Sequence, residues 1–539
     1  MEIKNRKRDA LLPLVISLAL VAGILIGVRF GSASPGNRGI LSFPAIGKVS
    51  RALNMILNSY VDSVSANVLE EEAIIGMLNT LDPHSRYIPA SNIIAENEPI
   101  EGNFSGIGVQ FNMINDTVVI INTVAKGPSE KAGIMAGDRI VMVNDLPVAG
   151  VKMKSDEIIK MLKGKTGTTV EVSIRRNGSA EMLVFNLTRD KIPLVSVDVA
   201  YMPAPETGYI KVNKFSRTTL REFTEACSRL KELGMRKLIL DLRDNGGGII
   251  DAATGMAEMF LPGGSTVVYT EGNERPRNNY YARGENARCA DTELALLINE
   301  SSASAAEIMA GAIQDNDRGV IIGRRSFGKG LVQEQLTLPD GSALRLTVAR
   351  YYTPTGRCIQ KPYDRGDDEY FNELNTRYSN GEMLRIDSTL FNDSVRFVTP
   401  GGKTVYGGGG IMPDVFVAAD TTYYSEYYAR VMRQGLIYRF AFDYTDRHRK
   451  DLNEFADYRA LEEHLRRCDL AKNFAVFAAK NGVKQDERGL RISGTAIENL
   501  ITAYIVRNIF DDDGFYPVLN KHDETVLKAI ELLTGNNDH

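Results

Sequence analysis

The spacing of apolar and polar positions changes several times along this chain of 539 residues, and each change marks a different kind of element. An uncharged run from Ala10 to Val28 follows Lys4, Arg6, Lys7 and Arg8. A run of that length spans a bilayer, and the basic cluster before it keeps the N-terminus in the cytoplasm and sends the rest across. A cleaved leader is the competing reading, with small residues at Ser32-Ala33-Ser34, but Pro35 behind them disfavours cleavage. The expected anchor is therefore residues 1–30, followed by a Gly/Ser-rich linker at 31–43. From Ala45 to Asn97 apolar residues recur at three and four, which predicts a small helical region within 44–101. Pro83, in Leu81-Asp82-Pro83-His84-Ser85, stops one of its helices.

From Gly102 to Arg189 the texture becomes short strands and tight turns. FSGIGVQFNM and TVVIINTV alternate as strands, and Asn177-Gly178 closes a hairpin. Residues 191–420 mix strands and helices. KLILDLR is as apolar as a buried strand should be. TTLREFTEACSRLKELG is an amphipathic helix closed by Gly234. The strand LALLINE leads into the helix SAAEIMAGAIQDN. Residues 361–399 are polar and read as a long surface excursion. Residues 421–539 return to helical spacing. The expectation is a multidomain α+β chain: a membrane helix, a small helical region, a strand-rich module at 102–190, an α/β core at 191–420 and a C-terminal helical domain.

A net charge of −4 is close to neutral for this length and argues against a nucleic-acid partner. Cys227, Cys289, Cys358 and Cys468 are widely spaced and show no metal-ligand pattern, so no metal and no cofactor are expected. They read as small buried residues, with pairing in an oxidising compartment as the alternative.

The candidate chemistry lies in LLINESSASAAEIMAGAIQDNDRGVIIGRRSFGKGLVQEQ, Leu296–Gln335. Ser301, Ser302 and Ser304 sit where a strand hands over to a helix, so free N–H groups and the helix dipole favour an oxyanion there; a plain helix cap is the bland alternative. No histidine occurs between Glu101 and Arg447. A serine nucleophile here needs another base, and Lys329, between Gly328 and Gly330, is the available amine. To serve at neutral pH its pKa must fall from about 10.4 toward roughly 7–8, which burial would supply. The glycines at 246–248 follow KLILDLR and offer backbone N–H groups to a tetrahedral oxygen. His84 reads as a cap or a packed ring. Gly323–Lys329 matches the spacing of a phosphate loop, but Gly330 stands where a hydroxyl is needed and a strand, not a helix, follows.

Two resemblances join these observations. Residues 102–190 resemble a PDZ domain over nearly its whole length, through the loop Gly106-Ile107-Gly108-Val109 and the block KGPSEKAGIMAGDRIVMVND. The resemblance implies that consecutive N–H groups of that loop take a peptide's terminal carboxylate beside an open strand edge. The blocks DLRDNGGG, NESSASAAEIMAGAIQDNDRGVIIGRRSFGKGLVQ, ARYYTPTGRCIQ and GGGGIMPDV, in that order, resemble the carboxyl-terminal processing peptidases, which are Ser-Lys serine peptidases. That family implies a crotonase-like or ClpP-like core, Ser304 as nucleophile, Lys329 as base and Gln333 positioning Lys329. It implies oxyanion donors at Ala305 and at Gly247 or Gly248. The chain departs from the family pattern at Gly246, where proline is usual, and at Ala306, where serine is common. The implied activity is a serine endopeptidase acting near the C-termini of exported proteins, with its body on the periplasmic side. Its partners would be peptides with free C-termini and the membrane; a second copy of the chain or a regulatory adaptor is left open. The alternative is a PDZ scaffold with a catalytically silent protease domain.

Overall fold

The computed structural model describes residues 17, 21, 47–386 and 395–535. Apart from Ser17 and Val21, the expected anchor and linker lie outside the described residues. Among the described residues no helix is long and apolar enough to cross a membrane. The chain divides into two compact units, Met1–Met77 and Leu78–His539. The first contains helix α1 (Lys48–Ser59) and most of α2 (Ala66–Leu78), where the three-and-four spacing is realised.

Beyond α2 the helical spacing is interrupted. Arg86–Ile88 is a strand, β1, followed by helix α3 (Ile93–Glu101). Helix α2 already ends at Leu78, before Pro83, which lacks an N–H and does not let a helix resume. The Asp82 carboxylate then accepts from the N–H groups of His84 and Ser85 at 3.0 and 3.1 Å, building a turn that presents Arg86–Ile88 to a partner strand.

The PDZ-like module comprises β2 (Asn103–Gly106), β3 (Val109–Met113), β4 (Val118–Thr123), α4 (Pro128–Ala132), β5 (Arg139–Val143), β6 (Leu146–Pro147), α5 (Ser155–Leu162), β7 (Thr169–Arg175), β8 (Leu183–Thr188) and β9 (Asp190–Pro193). Its sheet runs β3-β4-β5-β7-β8, with β6 on β5, and β2 pairs with β9. Val118, Ile120, Ile140, Val172 and Ile174 alternate inward and close a small core with Ile158 of α5.

The α/β core begins with β10 (Val197–Ala204), β11 (Thr207–Val212), α6 (Thr219–Glu232), β12 (Lys237–Asp241), α7 (Ile250–Glu258), β13 (Thr266–Glu271) and β14 (Asn278–Tyr281). It continues with β15 (Glu293–Ile298), α8 (Ala305–Asp315), β16 (Val320–Gly323), β17 (Leu331–Thr337), β18 (Ala343–Tyr352), α9 (Asp367–Ser379), β19 (Arg396–Val398), β20 (Thr404–Tyr406) and β21 (Val415–Phe416). The C-terminal helices are α10 (Glu426–Arg433), α11 (Leu436–Leu452), α12 (Tyr458–Leu465), α13 (Leu470–Lys480), α14 (Glu487–Asn520, broken at Phe510 and Asp511) and α15 (Glu524–Thr534).

The main sheet runs β10-β11-β12-β15-β16-β21 and is parallel from β11 onward. Parallel strands need cover on both faces. Leu238, Leu240, Leu294 and Leu296 face the cluster that includes Met256 of α7 and Met309 of α8. Ile239, Ala295 and Leu297 face the other way, onto Val526, Ala529 and Leu533 of α15. The last helix of the chain is thus a layer of the α/β core. A second sheet runs β1-β18-β13-β14, with β17 also on β18. The polar excursion contains helix α9, which starts at Gly366 with Asp367, Asp368 and Glu369 in its first turn and buries Tyr370 and Arg377. Its polar residues do not form an apolar stripe, which is why spacing alone suggested a loop. All four cysteines are free thiols, with Cys227 and Cys289 buried.

The C-terminal end of α8 is tied to the turn after β18 by a fully buried ion pair. Arg357 Nη2 lies 2.5 Å from Asp315 Oδ1 and 2.7 Å from Gln314 Oε1, and its Nη1 donates to the carbonyl of Tyr406 at 2.9 Å. Removing one partner leaves a charge without an answer in the interior. Arg357→Met is expected to lower the unfolding free energy by about 3–5 kcal/mol, measured by urea titration.

Candidate active site

The strand-to-helix junction before α8 carries the three candidate serines, and their surroundings separate them. Ser302 is fully buried; its hydroxyl donates to the Leu242 carbonyl at 2.8 Å and accepts from the Asn299 N–H at 3.0 Å. It holds β15 beside the turn after β12. Ser301 is exposed. Ser304 is partly exposed and has φ 54° and ψ −115°, a sparsely populated conformation for a residue with a side chain. Such strain costs about 1–3 kcal/mol and persists only where neighbours impose it.

The neighbours are identifiable. Glu307, three residues on and fully buried, accepts four hydrogen bonds. Its Oε2 takes the N–H of Ser304 at 2.8 Å and the N–H of Lys329 at 2.8 Å. Its Oε1 takes the Ser326 hydroxyl at 2.5 Å and the N–H of Gly328 at 2.7 Å. On the carbonyl side, the Tyr351 hydroxyl lies 3.1 Å from the oxygen of Ser304 and 2.5 Å from that of Lys329. Burial pushes the Tyr351 phenol well up, so it keeps the proton it donates. One carboxylate and one phenol therefore hold the backbones of positions 304 and 329 side by side. Burial pushes the Glu307 carboxyl up to about 7 against the lowering effect of its four donors.

Lys329 is partly buried in the loop between β16 and β17. Burial is the largest influence on its amine and lowers its pKa; the Asp82 carboxylate opposes that, and Arg345 adds to it. The amine donates to Gln333 Oε1 at 3.1 Å, and among the described residues it forms no ion pair. Lys361 nearby is different, since its amine pairs with Glu373 at 2.6 Å and donates to the Tyr370 carbonyl at 2.9 Å. Gln333 stands where the pairing of β17 and β18 shifts register, Val332 lying opposite Ala349 and Gln333 opposite Thr347, with Val348 of β18 as the extra residue. The other end of the amide, Nε2, donates to the carbonyl of His84 at 2.7 Å. That contact sets which end of the amide faces the lysine. The Asp82 turn is bolted to β18 through Thr347, whose hydroxyl donates to Asp82 at 3.0 Å. The His84 ring packs edge-on against Tyr370, with Nε2 2.9 Å from the phenol, and burial together with the Lys329 charge pushes it down to about 4. In this conformation no hydrogen bond joins the Ser304 hydroxyl to the Lys329 amine.

The two candidate glycines differ. The N–H of Gly247 donates to Asn245 Oδ1 at 2.8 Å, so it is not a spare donor for an oxyanion. Gly247 serves by being small: with φ 98°, a Cβ there would lie 2.7 Å from Ser304 Cβ and 2.9 Å from the nitrogen of Ala305. The N–H groups of Gly248 and Ala305 have no acceptor among the described residues. The turn is held from beneath by Asp241, whose carboxylate takes Arg243, Lys211 and Tyr209. Burial alone would raise the Asp241 carboxyl, but the Arg243 and Lys211 charges outweigh it and hold it below the usual range. The phosphate-loop reading of Gly323–Lys329 fails here as expected: Glu307 takes the Gly328 and Lys329 amides, and strand β17 follows.

In the PDZ-like module, Gly108 has φ 74°, and the N–H groups of Ile107 and Gly108 have no acceptor among the described residues. They open on a groove between β3 and α5 whose lining includes Phe104, Val109, Ile159 and Leu162.

Residues 206–366 match the family model of peptidase family S41. A probable CtpA-like serine protease of Staphylococcus aureus (strain N315) is 32% identical over 343 residues, 64% of this chain and 67% of that protein. The chain belongs to peptidase family S41. It is a serine-type peptidase of the C-terminal processing group. A second CtpA-like relative, from Staphylococcus haemolyticus (strain JCSC1435), is 34% identical over 315 residues, 58% of this chain and 62% of its own. Within this S41 peptidase, residues 105–187 match the PDZ domain, 34–91 the N-terminal domain of the activating protease CtpB, and 427–511 a family of unknown function. Among solved structures, the photosystem II D1 C-terminal processing protease is 30% identical, covering 57% of this chain and 88% of its own, with a TM-score of 0.33. The PDZ domain of a carboxy-terminal protease from Vibrio cholerae, in complex with peptide, is 29% identical over 17% of this chain and 99% of its own, with a TM-score of 0.16.

Sequence reading did not single out Glu307, Tyr351, Asp82 or the His84 carbonyl. For Glu307 a signal exists, since a Ser with Glu three residues later is the spacing of a capping box. In Glu307→Gln, whichever oxygen becomes an amide nitrogen, two donors lose their acceptor, at about 1–3 kcal/mol for each buried group left unpaired. The expected outcome is a destabilised S41 peptidase with at least a hundredfold lower kcat/KM, read by denaturant titration and peptide hydrolysis.

Proposed function

We propose that this S41 peptidase cleaves exported proteins near their C-termini through an acyl-enzyme, with Ser304 as nucleophile and neutral Lys329 as its base. The observation that carries this reading is a lysine whose amine is lowered by burial and forms no ion pair among the described residues, and whose backbone Glu307 and Tyr351 hold beside that of Ser304. Lys329 removes the Ser304 proton as Oγ attacks the scissile carbonyl. The oxyanion takes the N–H groups of Ala305 and Gly248, each such donor being worth about 3–4 kcal/mol of transition-state binding. The lysine then protonates the leaving amine, and water releases the acyl group. Gln333 positions the amine through its side-chain carbonyl. Because the hydroxyl and amine are not hydrogen-bonded at rest, substrate binding must draw them together, as catalytic contacts commonly tighten only in the complex.

In this reading the PDZ groove takes the substrate's C-terminal residue among Phe104, Ile159 and Leu162, with its carboxylate on the Ile107 and Gly108 amides. The basic cluster ahead of Ala10–Val28 supports an anchor that leaves the catalytic body outside the cytoplasm. Assembly with a second copy or an adaptor is part of the same reading and rests on no observed interface.

Ser304→Ala and Lys329→Ala are each expected to reduce hydrolysis of a tailed substrate to background; full activity in either variant would end the dyad assignment. For the wild-type chain, kcat/KM should rise with pH as Lys329 loses its proton, along a limb below the usual lysine range. His84, pushed down to about 4, cannot supply a limb near neutrality, but Glu307 at about 7 can. Warming separates them: an amine limb moves to lower pH, and a carboxyl limb stays in place.

A further inference from the structure

The carboxylate end of the PDZ groove is lined by one cationic side chain, and it is already paired. Lys163 directly follows α5, whose end is tied to β2 by the Gly164 N–H on the Ser105 carbonyl at 3.3 Å. Its stem crosses the first glycine of the carboxylate loop, for a Cβ on Gly106 would lie 3.7 Å from Lys163 Cγ. The ammonium stands 4.7 Å from the centre of the Phe104 ring, which itself lines the groove. Its ion-pair partner is Glu98 of α3, a helix outside the PDZ module. The lysine side chain is 34% exposed and the glutamate 14%.

A free peptide C-terminus entering this groove brings a carboxylate to the N–H groups of Ile107 and Gly108. Lys163 is the cation beside them, and Glu98 is a negative charge already holding it. Two carboxylates facing one ammonium is an unfavourable arrangement unless the incoming group takes the cation over. We propose that Lys163 is the counter-ion of the substrate's terminal carboxylate, and that a peptide with a free C-terminus binds by displacing Glu98 from it. This rests on the PDZ groove being the peptide site of the proposed function. It sharpens the preference for a charged end that the loop amides begin, because an amidated or internal segment has no charge with which to displace Glu98. The groove thereby discriminates cut or natural chain ends from loops of similar sequence.

The test is binding of a labelled decapeptide with a C-terminal valine, as the free acid and as the C-terminal amide, to the full chain carrying Ser304→Ala to prevent cleavage. Fluorescence anisotropy gives both affinities. Glu98→Gln removes the competitor and is expected to tighten the acid about three- to tenfold, leaving the amide unchanged. Lys163→Met is expected to weaken the acid about tenfold and leave the amide unchanged, so that the acid/amide ratio collapses. An acid affinity that Glu98→Gln leaves unaltered or weakens overturns the exchange. So does Lys163→Met acting equally on acid and amide. Both results leave peptide capture itself intact, whereas failure of the free-acid peptide to bind any of the proteins removes the capture reading and this inference with it.

Discussion

A single buried carboxylate organises the candidate active site. Glu307 accepts the amides of Ser304, Gly328 and Lys329 and the hydroxyl of Ser326, and no water is needed to satisfy any of them. Four donors match the lone pairs of an ionised carboxylate, so the group stays in the interior despite the desolvation that raises its pKa. The strained backbone at Ser304 and the glycine-rich loop at Lys329 would otherwise be independent segments. Through Glu307 and Tyr351 their backbones are joined, and the Ser304 hydroxyl and Lys329 amine are carried on one support.

Around this clamp the fold supplies support from unexpected distances along the chain. The turn at Asp82–Ser85 orients Gln333, although nearly 250 residues of chain separate them. The final helix α15 covers the open face of the parallel sheet, and Arg243, next to the glycine turn, reaches Asp523 at the start of that helix at 2.8 Å. The GGGGI segment lies over the lysine loop: the Ile411 N–H donates to Ser326 Oγ at 2.6 Å, and the Ser326 N–H donates to the Ile411 carbonyl at 3.0 Å. The PDZ module is tied to the C-terminal helices as well, through Arg139 and Asn177 on Asp446, each at 2.8 Å. The core and the PDZ-like module are thus each braced by polar contacts from segments far away in the chain.

Much of this was legible in the residues. The two-residue spacing of 102–190, the apolar strand KLILDLR, and Ser304 at a strand-to-helix junction with a lone lysine downstream point to the modules and the site because each is a local pattern. The two glycines at 247 and 248 were indistinguishable as letters; they separate once Asn245 is seen to occupy one N–H and leave the other free. The strand at Arg86–Ile88 was hidden inside a helical-looking stretch because only the partner strand β18 makes it extended. Helix α9 was hidden because its stability comes from burying Tyr370 and Arg377 against other elements, not from an apolar stripe of its own.

The sequence by itself determined the local chemistry: most of the elements, where the serine, lysine and glycines stand in them, and that no histidine lies between Glu101 and Arg447 to act beside them. These follow from side-chain type and spacing over a few residues. Tertiary structure alone decided that Glu307 joins the two halves of the site, that the His84 carbonyl rather than its ring serves Gln333, and that among the described residues Lys329 forms no ion pair while Lys361 does. Those outcomes depend on which distant groups share a desolvated volume, where an unpaired donor or charge is costly enough to dictate its partner.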